Sequence, residues 1–491
     1  MKEGEDRDIN YYKTEEYLNS KVEHTITFTC TQMEKKDMKV KEPRNKNYCA
    51  NVVKISNIVE LENCDNVVAA IVSGYQVIVG KDAKIGDIGV FFPVECKLSK
   101  EFLSNNNLFR KAELNADKTT KNYIEDNQRL KCVKFRGNKS EGLLMPLESL
   151  KWTGIDLEDL AVGMEFDELN DKEICCKNIV RRTNTQNTSN KKKAKVDRVS
   201  RMVENQFRLH VDTEQFKKNM WKIQPFSMVS ISRKKHGTSA VIGNVLVKRK
   251  LTVGEKILKF LGIKIQETEY GDVCASRNVI KNEYFNPLAG TGFYTDNIWQ
   301  IWAEKLKGTL DKGITFYGEI LGYLPTGGEI QKGYDYGCEE GTSKFEIYRI
   351  THTDEDGKVL EFTTHMIEEY CKQYGLESVE YFFYGYAKDI YPEIEEDKWT
   401  DESESRWLNN LLEKLEADER MGMNNITCPL NSQKVTSEGI VIRQESMFNP
   451  NPMKLKNFAF YEHETKLIDA GVEDIENADA EGETDEVSAE N

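Results

Sequence analysis

Lys234 lies in the stretch Ser232-Arg233-Lys234-Lys235-His236-Gly237-Thr238-Ser239, where a lysine precedes a tight His-Gly turn. Alone, such a tetrapeptide says little, because a lysine before a turn is usually a solvated cation. An ordered set downstream changes its weight: Ser276-Arg277, Tyr317-Gly318-Glu319-Ile320-Leu321-Gly322, Phe345-Glu346-Ile347-Tyr348, Glu438-Gly439-Ile440-Val441-Ile442-Arg443 and Lys454-Leu455-Lys456. A lysine amine attacks only when neutral, and its ordinary pKa near 10.4 leaves it protonated at pH 7. Closing that gap of roughly 3.4 pH units corresponds to about 4.6 kcal/mol. Burial and neighbouring cations both push in that direction. Lys454 and Lys456 supply such cations and can neutralise charge on a phosphate in transfer. They are expected to alternate across their strand, with a slight twist or a bound phosphate bringing both toward one ligand. Glu319 and Glu438 stand next to glycines on strands. Those positions suit ribose hydroxyls and a Mg²⁺ ion, which takes few carboxylates together with water and phosphate oxygens. The chemistry within reach is attack of an amine on a nucleotide phosphate.

In order and in kind, these residues resemble the motifs of the covalent nucleotidyltransferases, the ATP-dependent ligases and mRNA capping enzymes. Six collinear motifs mark that superfamily: a KxDG or KxHG lysine, a downstream arginine, a GE-containing strand, an aromatic strand, an EGxVxK/R strand and a KxK strand. The likeness covers most of residues 225–460. It implies Lys234 as the nucleophile that becomes lysyl-AMP, with Arg277 on the ribose or the 5′-phosphate. Glu319 would bind the ribose, Tyr348 would stack on adenine, and Lys454 with Lys456 would hold the α-phosphate. His236, Gly237, Ser239 and Arg443 join the implied nucleotide site. Glu438 serves the lysine's surroundings or a metal, with Glu319 as a second metal candidate. ATP and Mg²⁺ (or Mn²⁺) are the implied cofactors.

His236 in place of aspartate resembles the RNA ligases that seal nicks, and so does Gly-Glu-Ile-Gln-Lys-Gly-Tyr-Asp-Tyr-Gly at 328–337, similar to their GIQK-type segment. The runs from Val59 to Ser99 and from Val133 to Leu147 look like the N-terminal OB-type module of the fifth RNA ligase family. DNA ligases and capping enzymes place their OB domain after the transferase, and the stretch 467–491 is expected to be too short to hold one. The substrate implied is RNA with 5′-phosphate and 3′-hydroxyl ends, in a duplex, sealed by a monomer. Two departures stand out. Arg233 occupies a place where related ligases often carry an acidic residue that reads the adenine amino group, and Arg349 follows Tyr348 where aspartate is frequent. Two other functions remain open: an mRNA guanylyltransferase, and an RNA-binding protein that kept the fold without turnover.

The elements that must position these residues are expected to form an α+β chain of two domains. Residues 1–45 read as a polar arm. In 46–180, short Val- and Ile-rich runs punctuated by Gly, Pro and Asp predict strands of a small OB-like β-barrel that binds nucleic acid. Residues 181–201 read as a basic linker, whose Lys-Lys-Lys-Ala-Lys is either solvated or a phosphate contact. Residues 202–466 predict an adenylation domain built on antiparallel sheets, its last strand running through MKLKNFAFY, with 351–432 mainly helical. Tyr381–Tyr386 reads as core or as a base-stacking surface. Residues 467–491 hold ten acids and no Lys or Arg, the pattern of a disordered acidic tail.

Composition narrows the class only at the edges. The 491 residues carry a net charge of −15, which does not exclude nucleic acid because a phosphate track needs only local basic surface. Eleven cysteines without a CxxC pair, and no apolar leader, read as reduced thiols in a cytoplasmic protein. His24, His210, His236, His352, His365 and His463 show no metal-ligand spacing. No GxxxxGK[ST] loop occurs. The longest weakly charged run, Asn66 to Gly80, is too short to span a bilayer, and no membrane partner is expected.

Overall fold

The computed structural model describes residues 40–178, 201–281, 296–396, 398–424 and 426–470. Most of the expected N-terminal arm, nearly all of the basic linker and most of the acidic tail lie outside those residues. The chain divides into two compact units, and the division does not follow chain order. One comprises 1–55, 83–130 and 143–177; the other comprises 56–82, 131–142 and 178–491. The run Asn-Val-Val-Lys-Ile-Ser-Asn-Ile-Val-Glu-Leu is thus two strands, Ala50–Lys54 and Asn57–Glu60, falling in different units.

The first unit is built on a four-stranded sheet ordered Glu165–Phe166, Ala50–Lys54, Ile88–Pro93, Gly142–Pro146. Its buried core holds Phe92, Phe102, Phe166, Leu98 and Leu103. Alternation along Ala50–Lys54 is weak because four of its five residues are buried and only the terminal Lys54 is exposed, which matches the uncharged Ala-Asn-Val-Val run before it.

The second unit contains the meander Asn57–Glu60, Val67–Val72, Tyr75–Gly80 and the hairpin Val133–Phe135, Asn138–Ser140. Arg136 and Gly137 turn that hairpin with φ of 47° and 88°, both in the left-handed region that two-residue hairpin turns require. Two larger sheets follow. The five-stranded sheet runs Glu214–Gln215, Asn451–Lys456, Gly439–Gln444, Met228–Lys234, Tyr381–Tyr386. The six-stranded sheet has the path Thr268–Ala275, Thr238–Lys248, Ile314–Gly322, Ser343–Thr353, Val359–Glu361, with Glu377–Ser378 pairing beside it.

Three local expectations change. The last strand ends at Lys456, and Phe458–Asp469 is a helix; Phe458 and Phe460 are buried as helical neighbours rather than as strand residues. Between 351 and 432, helices Thr364–Tyr374 and Asp401–Ala417 alternate with strands Val359–Glu361 and Tyr381–Tyr386. Tyr381–Tyr386 is an edge strand against Met228–Lys234, its rings half-buried apart from the exposed Tyr386. Among the described residues no helix is long and apolar enough to cross a membrane.

A buried ionic cluster joins distant parts of the second unit. The Lys217 ammonium lies 2.7 and 2.9 Å from the two Glu141 carboxylate oxygens and 2.6 Å from Glu416. Glu141 also accepts from the Gln76 backbone N–H at 3.0 Å, so meander, hairpin and Asp401–Ala417 helix meet on one cation. Glu214–Gln215, just before Lys217, pairs with Met453 and Lys454. Burial opposes ionisation of Glu416, but Lys217 and then Lys139 overcome it and hold the carboxyl well below its usual range. Removing one member of a buried cluster leaves the others charged and uncompensated. Lys217→Met is expected to cost about 3–5 kcal/mol of unfolding free energy at pH 7, read by urea titration. A depressed carboxylate contributes stability above its unfolded pKa, which is lost as pH falls through the folded value. The gap between wild type and variant should therefore narrow below about pH 4.

Candidate active site

The lysine sits where the chain passes from one large sheet to the other. Met228–Lys234 ends at Lys234, opposite Gly439, and Thr238 begins the next strand, opposite Ile320. Only Lys235, His236 and Gly237 lie between. This crossover is fixed from several sides. The Gly237 backbone N–H donates to Glu319 Oε1 at 3.0 Å, and its carbonyl accepts from Gln331 Nε2 at 2.8 Å. The His236 backbone N–H donates to the Tyr336 hydroxyl at 2.7 Å. Lys235 is paired with both Glu346 oxygens at 2.6 and 2.7 Å.

Close packing explains the Gly of the His-Gly turn. A Cβ on Gly237 would lie 2.4 Å from the Ile320 carbonyl oxygen and 2.9 Å from the Glu319 side chain. Tyr336 reveals the same pressure, since it holds φ 48°, a region costing of order 1–3 kcal/mol for a bulky residue. Its buried hydroxyl is pushed well above its ordinary pKa by burial, so it stays a neutral hydrogen-bonding group.

Lys234 Nζ lies 2.7 Å from Glu438 Oε1, and Lys456 Nζ lies 3.9 Å from that same oxygen. Lys456 is also paired with Glu464 at 3.1 Å, in the helix after its strand, and the rings of Phe460 and Tyr461 lie 5.2 Å from its ammonium. Two cations and two carboxylates thus form one chain of charge. Gly439 makes it possible: at φ 147° it lets the Lys456 strand approach so closely that a Cβ would sit 2.2 Å from the Leu455 carbonyl oxygen. No twist is needed to bring Lys454 and Lys456 together. Met453 and Leu455 face the core, and the two lysines share the opposite strand face, registered against Val441 and Gly439.

Other expected residues lie around this centre in separate contacts. Ser239 pairs with Glu319 across the strands, and its carbonyl accepts from Trp299 Nε1 at 3.0 Å. Tyr348 is hydrogen-bonded through its hydroxyl to His210 Nδ1 at 3.1 Å. Its hydroxyl pKa is raised, first by burial and then by the Glu319 carboxylate, which places it near the predicted ribose ligand. Arg277 is ion-paired with Asp212. The His236 ring meets Tyr334 and Phe460 edge-on at 5.1 and 5.2 Å. Arg443 donates to the Phe362 carbonyl at 2.6 Å and takes no part in the Lys234–Glu438–Lys456 chain.

Both departures acquire local partners. Arg233 is buried at 7% exposure, paired with Glu380 at 2.6 Å and stacked over Phe382. Arg349 forks onto Glu361 and covers the Tyr317 ring. Asp212, His210 and Glu464 escape a motif reading because each acts on a motif residue from a distant or unpatterned position. Glu346 lies inside the Phe345-Glu346-Ile347-Tyr348 motif, but its pairing to Lys235 is not among the expectations. Gln331 and Tyr336 lie in the 328–337 segment that the sequence did single out.

A divalent ion fits the donor set in part. Glu438 is 3% exposed, and its second oxygen, Oε2, is buried without a hydrogen-bond partner. Among the described residues no cluster of three or more His, Cys, Asp or Glu could hold a metal. An ion here would take one or two carboxylates and complete its shell with nucleotide phosphates and water, as Mg²⁺ does.

Comparison with known proteins gives this geometry a family. The RNA ligase family model matches residues 228–456, from the first residue of the lysine strand to Lys456, and an OB-fold domain model matches residues 49–147. Residues 228–456 belong to the RNA ligase family. Solved structures of a Naegleria gruberi RNA ligase share the fold. A variant with ATP and Mn aligns with TM-score 0.51 and 16% identity over 86% of this chain and 99% of its own. An apo variant gives 0.53 and 15% over 87% and 100%, and the enzyme with PPi gives 0.52 and 15% over 86% and 99%. Among curated proteins no sequence match is found. The RNA ligase domain thus coincides with the two large sheets and the crossover joining them.

The crowding at the ligase crossover carries a test. Gly237→Ala is expected to lower covalent nucleotide labelling by roughly 100-fold, the cost of displacing a reacting group by about an ångström. A thermal melt alongside should stay near that of the wild type. Labelling within a few-fold of wild type would show that the close approach at Gly237 does not set the position of Lys234.

Proposed function

We propose that this RNA ligase is ATP-dependent and joins 5′-phosphate and 3′-hydroxyl ends at nicks in duplex RNA through a lysyl-AMP at Lys234. The observation that carries the reading is the Lys234–Glu438–Lys456 charge chain, set at the crossover of a domain that matches the RNA ligase family. In the first step Lys234 Nζ bonds to the α-phosphorus of ATP as the bond to pyrophosphate breaks. AMP then passes to the 5′-phosphate of the broken strand, releasing Lys234. Last, the 3′-hydroxyl attacks that phosphate in line, and AMP leaves as the phosphodiester forms.

Glu438 Oε1 holds the amine at 2.7 Å, so the nucleophile is oriented before the nucleotide arrives. Lys454 and Lys456 present charge toward a phosphate from one strand face, and such preorganised cations stabilise a phosphoryl group in transfer. Glu319, already aligned by Gly237, is the ribose contact, and Tyr348 beside it flanks the base. Mg²⁺ is the ion proposed, for which Glu438 Oε2, buried without a hydrogen-bond partner, would be a ligand; when bound it would supply charge neutralisation at the phosphates. The OB-fold region would hold RNA through backbone contacts that carry little sequence information.

Incubation with α-labelled ATP and Mg²⁺ is expected to label the protein covalently, reversibly with pyrophosphate. Lys234→Ala should abolish both label and joining of a nicked RNA duplex while leaving RNA binding intact. Glu438→Gln is expected to reduce labelling by about 100-fold or more, and chelation of divalent ions should stop it. Labelling by GTP in place of ATP would assign the protein to cap formation. No label with either nucleotide, in folded and AMP-free protein, would mean an RNA-binding protein without turnover.

A further inference from the structure

The connection between the strands Thr238–Lys248 and Thr268–Ala275 carries a helix, Val253–Phe260, that none of this chemistry uses. Its start is locally determined. Thr252 and Glu255 form a reciprocal capping box, the Thr252 backbone N–H donating to the Glu255 carboxylate at 2.8 Å. That bond, then Arg249, holds the Glu255 carboxyl at about 2, so the cap is fully charged at neutral pH. Helical spacing places Val253, Ile257, Phe260 and Leu261 along one face, with Lys256 and Leu258 at its two margins and Glu255 and Lys259 opposite.

On an ordinary surface helix the apolar stripe faces the core. Here no residue of the helix is buried, and the half-hidden position is the polar Glu255, while Ile257 is 55% exposed. Val253 is 75% exposed, Leu261 66% and Phe260 89%, with Ile263 following at 50%. The segment is also basic in an acidic chain: residues 248–264 hold six Lys or Arg and one carboxylate. Lys250, Lys256 and Lys264 are exposed around the apolar face. The paired ladder closes at Lys248 and Thr268. Strand rise puts that end roughly 30 Å from the Thr238 end where the lysine crossover lies.

We infer that Val253–Ile263 is a membrane-surface anchor, lying in the plane of an anionic bilayer. Val253, Ile257, Phe260, Leu261 and Ile263 enter the acyl boundary while the lysines meet lipid phosphates. A short helix with an apolar face and cations at its margin fits that environment, where spanning length is not required. A surface anchor departs from the expectation of no membrane partner, which rests on the lack of a run long enough to span a bilayer. RNA fits the face less well, because four of its five apolar side chains are aliphatic and only Phe260 offers a ring on which a base could stack. Anionic lipid attracts each lysine near the surface, and the attraction decays within a Debye length.

The test is co-sedimentation of the full chain with vesicles of phosphatidylcholine alone or phosphatidylcholine mixed with phosphatidylserine. Binding to the anionic vesicles should exceed binding to the neutral ones by roughly tenfold or more and weaken in high salt. Phe260→Glu combined with Leu261→Glu should abolish it, with thermal melt and covalent labelling at Lys234 unchanged. Both side chains are solvent-exposed, so the substitution places no charge in the core. Absence of vesicle binding by the wild type, or binding unaffected by the double variant, overturns the inference. So does a concentration-dependent dimer, or an RNA affinity, that the double variant removes in protein that never binds vesicles.

Discussion

The ion pair between Lys234 and Glu438 is the constraint on which the rest of the ligase domain depends. Glu438 directly precedes Gly439, whose missing side chain lets the Lys456 strand close in. Lys456 approaches the oxygen that Lys234 already occupies and is itself answered by Glu464. Such a chain of alternating charge holds two cations near one point without leaving either uncompensated in a protein interior. A nucleotide triphosphate brings negative charge of its own, so its arrival can redistribute these pairs with little change in the number of opposed charges.

The two sheets make that point rigid in different ways. The five-stranded sheet supplies Lys234, Lys454 and Lys456, and its other face is closed by Trp407, Leu411 and Leu415 of the Asp401–Ala417 helix. The six-stranded sheet supplies the carboxylates that hold the crossover, Glu319 and Glu346, backed by Trp299 and Ile367. Three residues of chain join them, with Tyr336 in a strained backbone conformation across from the turn. Strain of this kind persists only where the surroundings over-determine it, and here the surroundings are the site.

Much of this was legible in sequence because motif residues are short-range signatures of close approach. His-Gly and Glu-Gly each mark a place where backbone meets backbone, whereas Lys-Leu-Lys, expected to alternate across its strand, has both ammonium groups on one face because the strand period is two. The N-terminal strands were legible as strands but not as members of units, because a Val-rich run reads the same whichever sheet it joins. Asn-Phe-Ala-Phe-Tyr reads equally as strand or helix by hydrophobicity, and its burial from one helical side decides the matter. The partners Asp212 and Glu464, and the pairing of Glu346 with Lys235, were invisible because a carboxylate that neutralises a cation across the fold leaves no spacing to find. Arg233 was visible as an oddity, but its company of Glu380 and Phe382 comes from an edge strand some 150 positions away.

The Lys217 cluster has a consequence for the order in which the protein can form. Glu141 waits 76 residues for Lys217, and Lys139 waits 277 for Glu416. At a synthesis rate of 5–20 residues per second, the later wait is roughly a quarter of a minute to a minute. Glu141 lacks Lys217 only for the first part of that interval, whereas Lys139 lacks Glu416 for all of it, and contacts of such range are slow to close in any case. A segment synthesised early is therefore among the last to have its ionic partners completed, because the last of them, Glu416, comes from the carboxyl-terminal half.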